Sequence, residues 1–155
     1  MPITERLKDY LDRNHVRYMT MSHVPAFTAP EVAASTHTQG ESVVKCVVVE
    51  GDGKPFLVVT NANQRVDLDR VKQTLGLHIA RLEREDEFRN LFEDCEVGAM
   101  PPFGNLYRVP VVVDELVTKD REIVFNGGNH STSVRMMFDD FERLVSPMEG
   151  VVTRH

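Results

Sequence analysis

SVVKCVVVE (residues 42–50) and KPFLVVTN (residues 54–61) are two short, β-branched, apolar runs separated by GDG. That composition is that of strands, and the glycine-containing connection suits positive φ, so residues 42–61 read as a β-hairpin. One residue breaks the pattern. Side chains alternate along a strand, which places Lys45 on the same face as Val43, Val47 and Val49. An ammonium on an apolar face costs several kcal/mol unless it finds a partner or a water-filled cleft. Two readings stand: a lysine whose stem lies on apolar surface while its head reaches water, or a cation on a stiff strand aimed at a phosphate or a developing oxyanion.

Outward from the hairpin, strands and short helices interleave. Ile3, Leu7, Tyr10 and Leu11 fall at helical spacing, which predicts a helix over residues 4–14 with Thr4 as cap. RYMTMS (17–22) suits a short strand. TAPE (28–31) has the pattern of a capping box, Thr28 at the cap and Glu31 three residues on, ahead of the helix EVAAS. Asp67 to Leu75 forms a helix stopped by Gly76. HIARL is a strand, EDEFRNLF a short helix and CEVGAMPPFGN a loop. RVPVVVDE, REIVFN and STSVRM are strands, and FDDFERLV is a helix. The expected fold is α/β of the α+β type: a mixed, largely antiparallel, curled sheet flanked by short helices. All 155 residues are expected to form a single domain.

Bulk properties narrow the function. A net charge of −6 argues against wrapping long nucleic acid or docking on an anionic membrane, but allows a grip on a few phosphates at a nucleic-acid end. No apolar run approaches the ~20 residues that span a bilayer. The N-terminus lacks a signal-peptide core, and Cys46 and Cys95 form no CxxC or zinc-like cluster, so a reducing cytoplasm is the expected compartment. Histidines at 15, 23, 37, 78, 130 and 155 have no ligand spacing, and no metal or cofactor is expected. Nucleotide and hydrolase signatures such as GxGxxG, a Walker loop, GxSxG and HExxH are absent.

Three further segments can carry chemistry. GAMPPFG (98–104) is either a proline-stiffened surface loop or a rigid loop whose backbone amides hold an anion, with Gly98 permitting close approach. In NGGNHSTS (126–133), two glycines precede His130, which is either structural or able to orient a water or hydroxyl. In SHVPAFTAPE (22–31), His23, Phe27 and Thr28 either line a small pocket or only pack and cap. Cys46, next to Lys45, is expected on the opposite sheet face.

In order, TAPEVAAS, the lysine strand VVKCVVV, RVDLDRVKQTLG, the GxxxP loop GAMPP and a strand leading to GG-x-H resemble the YbaK and prolyl-tRNA-synthetase-associated domain family across residues 5–146. The resemblance implies a trans-editing aminoacyl-tRNA deacylase that hydrolyses the ester at the 3′ terminal adenosine. Its partners would be the tRNA acceptor end and an aminoacyl-tRNA synthetase. It also implies functional roles for Lys45, Gly98, Pro102 and His130, with Pro101 and Met100 in the loop and Met100 narrowing the amino-acid pocket. An aminoacyl ester is already activated, so holding it and placing a water suffice. The alternative is a non-catalytic module that binds aminoacyl-tRNA, a nucleotide or an amino acid.

Overall fold

A computed structural model describes residues 2–36 and 42–154; His37 and His155 lie outside them. The first helix, α1 (Glu5–Arg13), is capped by the Thr4 hydroxyl, which accepts from the Leu7 N–H at 3.4 Å. Strand β1 (Tyr18–Ser22) follows. Helix α2 (Ala29–Thr36) begins at a reciprocal cap: the Thr28 hydroxyl accepts from the Glu31 N–H at 3.3 Å and donates to the Glu31 carboxylate at 3.0 Å. The hairpin is β2 (Val44–Gly51) and β3 (Lys54–Asn61), in a register that pairs Lys45 with Thr60. The turn takes Asp52 and Gly53 through positive φ, as its sequence requires.

Helix α3 (Leu68–Leu75) is capped by Asp67 and ends at Gly76, φ +67°. It is followed by β4 (Ala80–Leu82), α4 (Glu85–Phe88), β5 (Val111–Asp114), β6 (Glu122–Asn129), β7 (Thr132–Met137), α5 (Phe138–Val145) and β8 (Met148–Gly150). The mixed, largely antiparallel architecture is the expected one, but its strands divide between two sheets. One is three-stranded and antiparallel, ordered β1-β7-β6; the other is five-stranded and mixed, ordered β4-β2-β3-β5-β8. Strand β5 runs parallel to both β3 and β8. Strand β8 was not expected from the sequence: MEG has neither β-branched residues nor alternation.

The five-stranded sheet is covered on both faces. Val44, Val48, Leu57, Val59, Val111 and Val113 face the larger core with Leu7, Leu11, Phe103, Phe125 and Phe141. Val49, Val58 and Val112 face a smaller cluster with Val71 of α3 and Val152. Asp114 fixes the strand after β8: its buried carboxylate accepts from the N–H groups of Val152 at 2.9 Å and Thr153 at 3.1 Å. A third cluster holds Ala26, Val32, Val43 and Val124. It sits at the seam of the two sheets, where an isolated parallel bridge pairs Val43 with Val124.

Candidate functional site

Beyond the Val43–Val124 bridge the two strands enter different sheets. Two residues further along each, Lys45 and Asn126 line one cavity of about 140 Å³. Phe27, Thr28 and Val32 close it from the α2 side, and Gly98 and Met100 from the loop. Alternation along β2 explains the lysine's position: Val43, Val47 and Val49 belong to the clusters away from the larger core, and Lys45 shares their face. Cys46 packs against the larger core, as alternation requires, and also borders the cavity. Burial pushes its thiol well above the ordinary range.

Lys45 is half-buried. Among the described residues its ammonium has no carboxylate within ion-pair distance. Loss of water holds its pKa below the ordinary lysine value, and the nearby positive charge of Arg65 adds to the effect. Several cations elsewhere in the fold are paired. Arg81 pairs with Glu50 and Glu87, Arg84 with Asp86, and Lys72 with Asp69. Lys45 is therefore a cation available to an anionic ligand.

The loop opposite is anything but a surface loop: Ala99 to Gly104 are all buried. Phe103 anchors it, with Tyr10, Phe125 and Phe141 rings at 6.0, 5.7 and 5.5 Å. Backbone bonds lace it to the end of β6. Glu96 N–H donates to Gly128 O at 2.8 Å, and Gly128 N–H donates to Ala99 O at 3.0 Å. Gly98 has φ +84°, a conformation that favours glycine. A Cβ there would meet the His130 ring at 3.7 Å, so the glycine answers to backbone conformation rather than to crowding. Among the described residues the N–H groups of Gly98 and Met100 have no acceptor, whereas that of Ala99 bonds Glu96 O at 3.0 Å.

His130 stands one layer behind this loop. Its Nε2–H donates to Val97 O at 3.0 Å, its backbone N–H donates to the Glu96 carboxylate at 2.8 Å, and its Nδ1 is buried without a partner. Phe27 stacks on its ring with centroids 4.5 Å apart, yet is 69% exposed at the mouth of the cavity. His23 also lies outside the wall. Its Nδ1–H donates to Val24 O at 2.7 Å, which leaves Nε2 to accept from the Ser133 hydroxyl at 2.8 Å.

Of the residues singled out in the sequence, Lys45, Gly98, Met100, Phe27 and Thr28 line the cavity, while Pro101, Pro102, His130 and His23 do not. Asn126, Val32, Val43, Val44, Cys46 and Ala62 complete the wall. Asn126 opens the NGGNHSTS stretch, but only the tertiary bridge to Val43 brings it to Lys45. Among the described residues no group of three His, Cys, Asp or Glu side chains is placed to hold a metal ion, and no helix is long and apolar enough to cross a membrane.

The seam between the two sheets thus brings a cation and a glycine loop to one cavity. The chain belongs to the aminoacyl-tRNA editing domain family, matched over residues 23–144. It is 28% identical over 87 residues to a proline–tRNA ligase of Bacillus mycoides (strain KBAB4), which is 56% of this chain and 15% of the ligase. It is 30% identical over the same length to that of Bacillus cytotoxicus. Among solved structures, a hypothetical protein superposes with a TM-score of 0.88 at 20% identity, covering 97% of this chain and 100% of the other. A protein described as a candidate trans-editing enzyme for prolyl tRNA synthetase superposes with a TM-score of 0.82 at 22% identity, covering 97% and 96%. At these identities the structural likeness is one of fold.

Proposed function

We propose that this protein hydrolyses the ester of mischarged aminoacyl-tRNA at the 3′ terminal adenosine, acting in trans on tRNA for proline. The observation that carries the reading is the free, half-buried Lys45 in the same cavity as Gly98 and Met100. Lys45 binds the phosphate or ribose region of the terminal adenosine. The N–H groups of Gly98 and Met100 donate to the ester oxygen as it becomes an oxyanion; one such donor supplies about 2.7–4 kcal/mol of transition-state stabilisation. Pro101, Pro102 and His130 act from behind, holding the loop in place. The attacking water is activated by the substrate's own 2′-hydroxyl, so no protein nucleophile is required.

The cavity's size supports a small amino acid. About 140 Å³ is close to the ~150 Å³ that accommodates benzene in an engineered protein cavity, and Val32, Val43 and Met100 give it an apolar side. Alanine is the first candidate, because small amino acids are the usual errors such proteins handle, and one further methylene is worth ~1–3 kcal/mol in a pocket of this kind. The acidic chain and a single free cation in the cavity imply weak tRNA binding with a shallow salt dependence.

Incubation with a panel of mischarged tRNAs tests the reading. Alanyl-tRNA for proline should be cleaved well above the buffer rate, and Lys45→Ala should lower that rate about ten- to hundredfold, the worth of a charged hydrogen bond. Thermal melting of the variant should be unchanged or raised. Binding of the acceptor end without any cleavage would favour a non-catalytic module, and a Lys45→Ala loss confined to melting temperature would make the lysine structural.

A further inference from the structure

We infer that Asn126 recognises the α-ammonium of the esterified amino acid, and so selects aminoacyl esters over esters that lack an amine. The inference rests on the editing reading above and assigns a residue that reading leaves without a role. Asn126 lines the cavity, and its Oδ1 is buried with no hydrogen-bond partner. A buried acceptor left unpaired is costly and uncommon in a folded protein.

The surroundings explain why no protein group satisfies it. Asn126 pairs with Ser133 across β6 and β7, so the two side chains lie on one face. The single O–H proton of Ser133 is committed to His23 Nε2, because His23 Nδ1–H already donates to Val24 O. The Ser133 hydroxyl therefore has no proton to offer Asn126. The other polar wall groups are no nearer a match. Thr28 donates its hydroxyl to Glu31, and Lys45 makes no hydrogen bond to the carboxamide.

An empty acceptor in the cavity wall calls for a ligand with a donor at that point. In an aminoacyl ester the α-ammonium is one bond from the carbon that bears the carbonyl. With that carbonyl held by the Gly98 loop, the ammonium falls inside the same small cavity. It is a compact, three-donor cation. The carboxamide oxygen accepts from it without adding a negative charge that would pair with Lys45 and block the lysine's own ligand. The cavity separates the two charges of its substrate: anion to Lys45, cation to Asn126.

The test compares alanyl-tRNA with propionyl-tRNA, in which hydrogen replaces the amine, each rate taken relative to its own buffer rate. Wild type should prefer the alanyl ester. Asn126→Ala should reduce that preference about ten- to hundredfold by slowing the alanyl reaction and sparing the propionyl one. Asn126→Asp adds the negative charge that pairs with Lys45 and should slow both esters, and the melting curve of Asn126→Ala should match wild type. Equal slowing of both esters by Asn126→Ala, or an unaltered preference, overturns the role of Asn126 while leaving the editing reading intact. A wild-type protein that cleaves neither ester overturns the editing reading and this inference with it.

Discussion

On the loop side of the cavity, Ala99 to Gly104 are buried without interruption and Phe103 meets three other aromatic rings. On the α2 side, Val32 and Thr36 are the buried side chains of the helix among the described residues, and the cluster that Val32 joins has four buried members. One wall is an extension of the main core; the other is a short helix on a small apolar pad, fixed at its start by the Thr28–Glu31 cap. The unequal construction suits the chemistry proposed above. Oxyanion donors must be positioned to within fractions of an ångström, while a wall that only limits side-chain size can be lighter.

The largest test of that contrast is Phe103→Ala. It removes the anchor of the heavy wall and should cost about 3–5 kcal/mol of stability by chemical denaturation. Gly98→Ala should cost about 1–2 kcal/mol, because φ +84° is strained for alanine, and should slow deacylation by displacing the N–H groups of residues 98 and 100. Unchanged turnover in that variant would remove the loop from the chemistry. Thr28→Ala should cost about 1 kcal/mol, the worth of a helix cap. A Thr28→Ala loss as large as that of Phe103→Ala would show that the two walls are equally anchored.

The smallest effect is a titration. The folded protein holds Lys45 below the lysine value of 10.5, chiefly through desolvation. The charged form is thus disfavoured by folding. Its cost is present at neutral pH and is relieved as pH rises through the folded pKa toward the unfolded value. NMR titration of the Lys45 side chain should give a midpoint below 10.5, moving up when Arg65→Gln removes the second cause. A midpoint at or above the ordinary value would mean that the ammonium is solvated and that the cavity does not shape it.

Local rules in the sequence carried far. Alternation placed Lys45 on its face, the Thr28–Glu31 spacing gave the cap of α2, and Gly76 stopped α3 where a left-handed residue was needed. What was hidden depends on contacts distant along the chain. Strands β3 and β5 pair in parallel across about fifty residues, and no local pattern encodes that register. Asn126 reads as the first residue of a turn-like NGG until the Val43–Val124 bridge sets it beside Lys45. The two prolines of GAMPP suggest a rigid exposed loop. Burial instead follows from Phe103, whose fit among Tyr10, Phe125 and Phe141 draws the loop inward.

The pairing of β5 with β8 bears on how the chain is made. Until β8 docks, β5 has one neighbour, β3, and exposes a row of unsatisfied amides and carbonyls on its other side. A chain that has not yet docked β8 carries an open, valine-rich edge, the kind of surface through which strands of different chains join. Asp114, waiting at the end of that edge to take the amides of Val152 and Thr153, makes the closing step directional.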